Sequence, residues 1–567
     1  MHEFHIWART SLRAGLVAGL CLAAGAATAQ TADTILRNAN IYTVDRNFSV
    51  ARAVAIRDGR FVAVGDEASV MKQAGPQTQV IDLGGRTIVP GLIDSHLHQS
   101  FAATNLPAVQ LLAARSIADV QRLIGERAKQ TPAGEWVVAS SGWHESLLKE
   151  GRLPTRYELD VVSPDHPVLI PRGGHVVATN TKALERAGVT KETKNPPGGV
   201  IVRDPANGEA TGVLLEAAAY FVRRVGPKPP PPERFAELLK QQMKLLNSLG
   251  IVSVVEPGIG EPNIALYERL RASGDLTVRT HILYRAITPD EVRKGLAFKS
   301  FRNDDMLRFD GFKFPLDGGI EGARLREPYR IVPGEQPDKD YRGVLLLPPG
   351  GEDEWVEALK LVAENGLQAQ THAVGDETID VIVRAYERAA GAKKIRDLRW
   401  SIMHIFLPTD AAIAKMSELG IMATAQDHPV LLGHNQRRWW GDERAAYAIP
   451  IRKLLDAKIM VGGGSDGPVV PFDPFQSMWW MTTRMTLNGY ALGPEQAITA
   501  REALTLYTIN NAIVLGVEKD RGSIEAGKLA DLVAVSKDLL NIPPAELRDT
   551  RALMTMIGGK IVWREGI

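Results

Sequence analysis

Hydrophobic and polar positions follow two rhythms along this chain. Near its start, TILRNANIYTV, SVARAVAIRDGRFVAVG and TQVIDLGG, all between Asp33 and Asp82, are short alternating segments, and Asp58-Gly59 sits between two apolar runs as a hairpin signal. The same grammar returns at Gly522 to Ser536 (GSIEAGKLADLVAVS) and Leu553 to Trp563 (LMTMIGGKIVW). Neither half buries a core by itself, so the two ends are predicted to pair into one composite β-sandwich. Between them, apolar runs of strand length lead into stretches of helical length. The strand candidates are 88–94, 251–256, 277–283, 309–314, 367–372, 399–404, 421–425 and 458–463, with helices such as Pro262 to Ser273, Glu352 to Asn365, Glu377 to Ala390 and Pro408 to Leu419. Eight such units predict an α/β fold built on a (β/α)8 barrel.

The tract 100–232 interrupts the first unit. It carries its own helix (Ile117 to Gln130) and strands (Trp136 to Ser140, Val168 to Pro171), and leaves through four prolines, Pro229 to Pro232, which read as a stiff linker. We read it as an inserted subdomain over the barrel mouth. The expected organisation is 30–86 for the first part of the sandwich, 87–515 for the barrel with its insertion, and 516–567 for the second part of the sandwich.

Residues 1–29 stand apart. Arg9 and Arg13 precede an apolar run from Ala14 to Ala27, and Ala27-Thr28-Ala29 fits a cleavage site: a Sec-type signal peptide, implying a periplasmic or secreted protein. The alternative, a retained anchor, has a run that is short for a membrane span. The only cysteine, Cys21, lies in this segment, so the mature chain would have neither a thiol nucleophile nor a cysteine-ligated zinc. Composition is that of a globular protein (45% hydrophobic, 23% charged), and a formal net charge of +1 leaves no electrostatic footprint for nucleic acid or anionic membrane. No nucleic-acid partner and no stable membrane association after cleavage are expected; a homo-oligomer stays open.

Candidate chemistry gathers at the strand ends, where barrels of this class build their sites. In TIVPGLIDSHLHQ, His96 and His98 share one face because strand side chains alternate. Alone this H-x-H is weak. The second strand ends near Glu256, the third at His281, the fourth carries Lys313 (GFKFPLDGG), the fifth ends at His372 (QAQTHAVGD), the sixth at His404 (RWSIMH) and the eighth at Asp466 (IMVGGGSDGP). Any one histidine reads as readily as a hydrogen-bonded core residue; their coincidence at successive strand ends points to a site.

These motifs resemble the amidohydrolase superfamily, specifically amidohydrolase family 3, over nearly the whole mature chain. PGLIDSHLH resembles the first-strand motif, and SGWHESLLKEGRLPTRYELDVVSPDHPVLIPRGGH, NTKALERAG, PPGGVIVRD and GEATGVLLE the inserted region. HAVGD, SDGPVVPFDP and GSIEAGKLADLVAV resemble the later motifs. The resemblance implies metal binding by His96, His98, His372, His404 and Asp466. It suggests Lys313 as a carboxylated lysine bridging two metals, against the plainer reading of a strand lysine paired with Asp317 or Asp310. One or two divalent ions are implied, zinc foremost, though Mn, Fe or Co fit the same ligands. Such a centre activates water and polarises a carbonyl, with Asp466 as general base and then acid. The implied reaction is hydrolysis of a non-peptide, amide-type carbon–nitrogen bond of a small molecule. An esterase or lactonase on the same site, and a non-catalytic binding protein, are the alternatives.

Within the insertion, His175 (RGGHVVATN) follows Gly173 and Gly174, which permit close backbone approach. We expect it to reach the mouth and hydrogen-bond the substrate carbonyl, unless it is a structural turn histidine. Trp143 (SGWHE) is a candidate pocket wall or a packing residue. His144 stands where the family carries an acidic residue, and has no metal role here. His434, Trp439 and Trp440 are placed in a loop after the seventh strand, with surface packing the simpler reading.

Overall fold

The structure is a computed structural model describing residues 31–334 and 338–566; the signal-peptide expectation at 1–29 lies outside the described residues. Eight strands form one parallel sheet in sequence order: β1 (Leu92–Asp94), β2 (Ile251–Ile259), β3 (Arg279–Arg285), β4 (Leu307–Pro315), β5 (Gln368–Ala373), β6 (Ser401–His404), β7 (Met422–Gln426) and β8 (Val461–Gly464). The sheet closes on itself. Ser95 donates from N and Oγ to the Gly463 carbonyl at 3.1 and 2.8 Å, and His98 N donates to Gly467 O at 2.8 Å. The strand ends therefore form a ring, and segments far apart in sequence face one another across it.

The run 88–94, expected as one strand, is two. Thr87–Pro90 lies in the sandwich, antiparallel to Leu532–Val535, while Leu92–Asp94 begins the barrel. The break is at Gly91, where an added Cβ would stand 2.5 Å from Val252 Cγ2. Both halves are buried and apolar, so hydropathy alone could not divide them. The sandwich joins both chain ends: Leu36, Ile41, Val54 and Ile88 share a core with Ile524, Leu532, Ala534 and Met554. Its hairpin turns at Asp58 and Gly59, both with positive φ, as a tight two-residue connection demands. Arg279, on β3, is buried and grips Asp531 of the sandwich with two hydrogen bonds of 2.8 and 2.9 Å.

The insertion contains a five-stranded sheet in the order Gly199–Arg203, Ala210–Glu216, Val176–Thr179, Val168–Arg172, Val137–Val138. Apolar clusters cover both faces, one around Val120, Leu159 and Ile170, the other around Val177, Leu184 and Leu214. The sheet is thereby a rigid carrier for the turn Gly173–His175, which it presents to the barrel mouth. After β7 the chain forms the helix Pro429–Trp440, not a loop, with Pro429 at its first turn. No described helix is long and apolar enough to cross a membrane.

Candidate metal centre

Asp466 follows β8 with φ of +65°, and His404 ends β6 with φ of +70°; such backbone is unusual for residues with a side chain and aims both groups across the ring. Around Asp466, Oδ1 lies 3.2 Å from Nε2 of both His96 and His98, and Oδ2 lies 2.9 Å from His428 Nε2. His96, His98 and Asp466 have ligand atoms within 4.8 Å of one another, and so do His404, His428 and Asp466. The rings of His96 and His404 are 4.7 Å apart, and those of His404 and His372 4.5 Å. Several of these atoms are buried without a hydrogen-bond partner: both nitrogens of His96, Nδ1 of His404 and of His428, and Oδ1 of Asp466. Unsatisfied buried polar atoms are costly. Imidazole and carboxylate donors converging in this way fit divalent metal ions.

Electrostatics agrees with that fit. Burial, reinforced by Lys313, holds His96 well below the usual imidazole range; burial and the neighbouring His372 and His96 do the same to His404. Both are therefore neutral, the form that ligates. Burial alone would raise the Asp466 carboxyl, but His96, His428 and His98 outweigh it and hold it ionised. Lys313, on β4, is 6% exposed, and burial pushes its ammonium down to about 7 against the weaker pull of Asp466. His372 donates from Nε2 to the Gly318 carbonyl at 3.0 Å, leaving Nδ1 as its lone pair.

The insertion side of the mouth is built differently. Arg172 is buried, its Nε 3.0 Å from Glu145 and its guanidinium paired with Glu321, while Asn435 donates to Glu145 at 2.7 Å. His175 Nδ1 lies 2.8 Å from Glu216 Oε2. Burial depresses this imidazole, but Glu216 more than compensates and its pKa is raised. A narrow cavity lies between the two sides, with Arg172, His175 and Glu321 on one wall, His372, His404, His428 and Asp466 on the other, and Ile320, Val374, Phe406, Leu432 and Val469 between them.

Of the residues singled out from sequence, His96, His98, His372, His404 and Asp466 thus meet at one centre, with Lys313 beside them and His175 across the cavity. Three do not reach it. Trp143 packs in the insertion core, donating to the Pro171 carbonyl at 2.9 Å, and so supports Arg172 from behind rather than lining the cavity. His281 points to Asp310 at 2.6 Å. Glu256 accepts hydrogen bonds from Ser100 and Tyr267. His144 caps the turn that holds Glu145, and the acidic residue expected at 144 is found one position later. Trp440 packs against Phe406, and His434 is exposed.

Sequence reading missed His428, although Asp427-His428-Pro429 ends β7 as the other motifs end their strands. It also missed Glu145, Glu216 and Glu321, whose partners are remote in sequence.

Residues 79–563 match the model of the amidohydrolase family. The chain is 32% identical over 553 residues to the N-substituted formamide deformylase of Arthrobacter pascens, covering 94% of this chain and 98% of that protein. Its structure is similar to that of a metal-dependent hydrolase from Pyrococcus furiosus, with a TM-score of 0.68 and 26% identity over 90% of this chain and 100% of that one. It is also similar to the zinc complex of atrazine chlorohydrolase from Arthrobacter aurescens TC1 (TM-score 0.54, 16% identity, 94% and 95% covered), a likeness of fold alone.

Proposed function

This chain belongs to the amidohydrolase family, and from that premise we propose a metal-dependent hydrolase that cleaves the carbon–nitrogen bond of small N-substituted amides, formamides foremost. The observation that carries this reading is the convergence of His96, His98, His404 and His428 on one buried carboxylate, with lone pairs that the protein leaves unused. The extensive similarity to a formamide deformylase supports the choice of amide.

His96, His98 and Asp466 would hold one divalent ion, and His404, His428 and Asp466 a second, with His372 Nδ1 and Lys313 at the margin of the centre. A divalent ion there supplies a Lewis acid for the carbonyl and a source of nucleophile from water at neutral pH. Asp466, kept ionised by its histidines, is the group placed to take a proton and return it to the leaving amine. Lys313 with a pKa near 7 is largely a free amine in mildly alkaline solution, the form that adds carbon dioxide to become an anionic carbamate. Ile320, Val374, Phe406, Leu432 and Val469, between the two polar walls, give the substrate an apolar surface to lie against. Zinc is the ion we expect, and export to the periplasm or medium the location, which N-terminal sequencing of the native protein would check against cleavage after Ala29.

The test is metal analysis of the purified protein, followed by a panel of N-alkyl formamides, acetamides, matched esters and lactones. Metal with turnover of the formamides supports the reading; metal with turnover of esters or lactones alone replaces it. Lys313→Ala should lose metal and activity together, with partial restoration by added short carboxylates. Full metal content and full activity in that variant would remove Lys313 from the centre.

A further inference from the structure

His175 is held in a way that decides what it offers to the cavity. Its Nδ1 lies 2.8 Å from Glu216 Oε2. The Gly319 N–H lies 3.1 Å from both His175 Nδ1 and Glu216 Oε1. A carboxylate only accepts, so the arrangement closes in one way: Nδ1–H donates to Oε2, and Gly319 N–H donates to Oε1. The neutral ring then carries its proton on Nδ1, and Nε2 presents a lone pair. His175 lines the cavity, and Nε2 makes no hydrogen bond among the described residues. In this neutral tautomer the ring accepts at Nε2, whereas the expected hydrogen bond to a substrate carbonyl calls for a proton there.

The surroundings are shaped around this pair. Glu216 ends its strand with φ of +49° and ψ of −125°, unusual for a residue with a side chain, and its N–H donates to the His175 carbonyl at 2.7 Å. Across from it, in the segment DGGIEG after β4, a Cβ on Gly318 would stand 2.8 Å from Glu216 Oε1 and one on Gly322 2.7 Å. The two glycines leave the space that the carboxylate fills. Insertion and barrel thus cooperate to fix one tautomer of one histidine.

We infer that His175 Nε2 accepts the N–H of a secondary amide, making it the residue that selects secondary amides over esters and tertiary amides, with Glu216 as its positioning residue. The inference rests on the amide reading above and deepens it. An ester or an N,N-disubstituted amide has no proton to give, and each, once seated over the partly exposed ring, would shut water from Nε2 and leave that acceptor without a partner. Sites built around a hydrogen bond reject analogues that lack it much more strongly than apolar pockets reject a change of size.

The experiment uses the metal-loaded full chain at an alkaline pH at which the ring nitrogens of His175 are seen by NMR to be singly protonated, and three substrates with the same acyl group: an N-alkyl formamide, its N-methyl tertiary analogue and the alkyl formate ester. Comparing each variant with wild type on the same substrate cancels intrinsic reactivity. His175→Phe should lower kcat/KM for the secondary amide at least about tenfold, and change the other two by less than about threefold. Glu216→Ala should show the same pattern more weakly. In histidine-labelled protein, the nitrogen–proton correlation assigned to His175 by its absence in His175→Phe should report Nδ1–H in wild type and a mixture in Glu216→Ala. Equal losses on all three substrates, or a wild-type ring protonated at Nε2, overturn the inference while leaving amide hydrolysis standing. Cleavage of the ester with no amide touched overturns the amide reading itself, and with it any recognition of an N–H.

Discussion

The two sides of the cavity are built from different charges: imidazoles around one carboxylate on the barrel side, carboxylates around one guanidinium and one imidazole on the insertion side. On the barrel side, both nitrogens of His96, Nδ1 of His404 and of His428, and Oδ1 of Asp466 are buried without hydrogen-bond partners. On the insertion side, Arg172 faces Glu145 and Glu321, Asn435 supports Glu145, and His175 faces Glu216. Orphaned polar atoms cost stability, and a cluster of such imidazole and carboxylate atoms converging on one point calls for something from outside to complete it. The insertion side also leaves Arg172 Nε, Glu145 Oε2 and Asn435 Oδ1 without hydrogen bonds, but there each buried charge has an opposite charge beside it, and these ion pairs hold rotamers and fix where one ring stands. The barrel wall thus offers donors that suit the proposed ions, and the insertion wall holds its own form.

The largest effect should come from the barrel wall. Asp466→Asn keeps an oxygen for a metal but cannot take a proton, so some metal should remain while turnover falls by about 10²–10⁴-fold. Metal content and kcat measured on one preparation check this, and near-normal turnover would move the proton transfer elsewhere. Arg172→Ala attacks the other wall. It leaves Glu145 and Glu321 buried without their shared cation, and should cost about 3–5 kcal/mol in denaturant unfolding, with metal content retained. If metal were lost instead, the two walls would not be independent.

Acid sharpens the contrast further. Burial keeps His96 and His404 neutral in the fold, and brings His144 down to about 3. Below about pH 6.5 the unfolded chain takes up protons that these folded histidines refuse, so the unfolded state gains. Metal-free protein should lose up to about 1.4 kcal/mol per pH unit for each such group on acidification from pH 6.5. Thermal unfolding of chelator-treated protein across that range is the measurement. The smallest effect belongs outside both walls: His434→Ala, at an exposed position, should stay within about 0.5 kcal/mol of wild type and keep full activity.

Much of this was legible in the chain because the barrel repeats a local rhythm, and local rhythm is what hydropathy records. His96, His372, His404 and Asp466 could be read because each closes an apolar run. His428 could not be read so easily, since β7, MATAQ, is short and only weakly apolar, and the helix that follows begins at once. The division at Gly91 was hidden because both flanking strands are buried. The insertion wall was hidden for another reason. Arg172 and Glu321 are 149 residues apart, and Glu145 and Asn435 290 apart. Such pairs follow from tertiary packing, which has no signature in spacing.

The pairing of Thr87–Pro90 with Leu532–Val535 also sets a clock. About 440 residues separate the two strands, and at roughly 5–20 residues per second a ribosome needs about 20–90 s to pass from one to the other. For that interval the first half of the sandwich has been made and its mate has not. The barrel's own seam, between β1 and β8, waits almost as long. Completion of the sandwich therefore waits for the strand Leu532–Val535, and a nascent chain stalled before residue 532 would present the unpaired edge of Thr87–Pro90 throughout the pause.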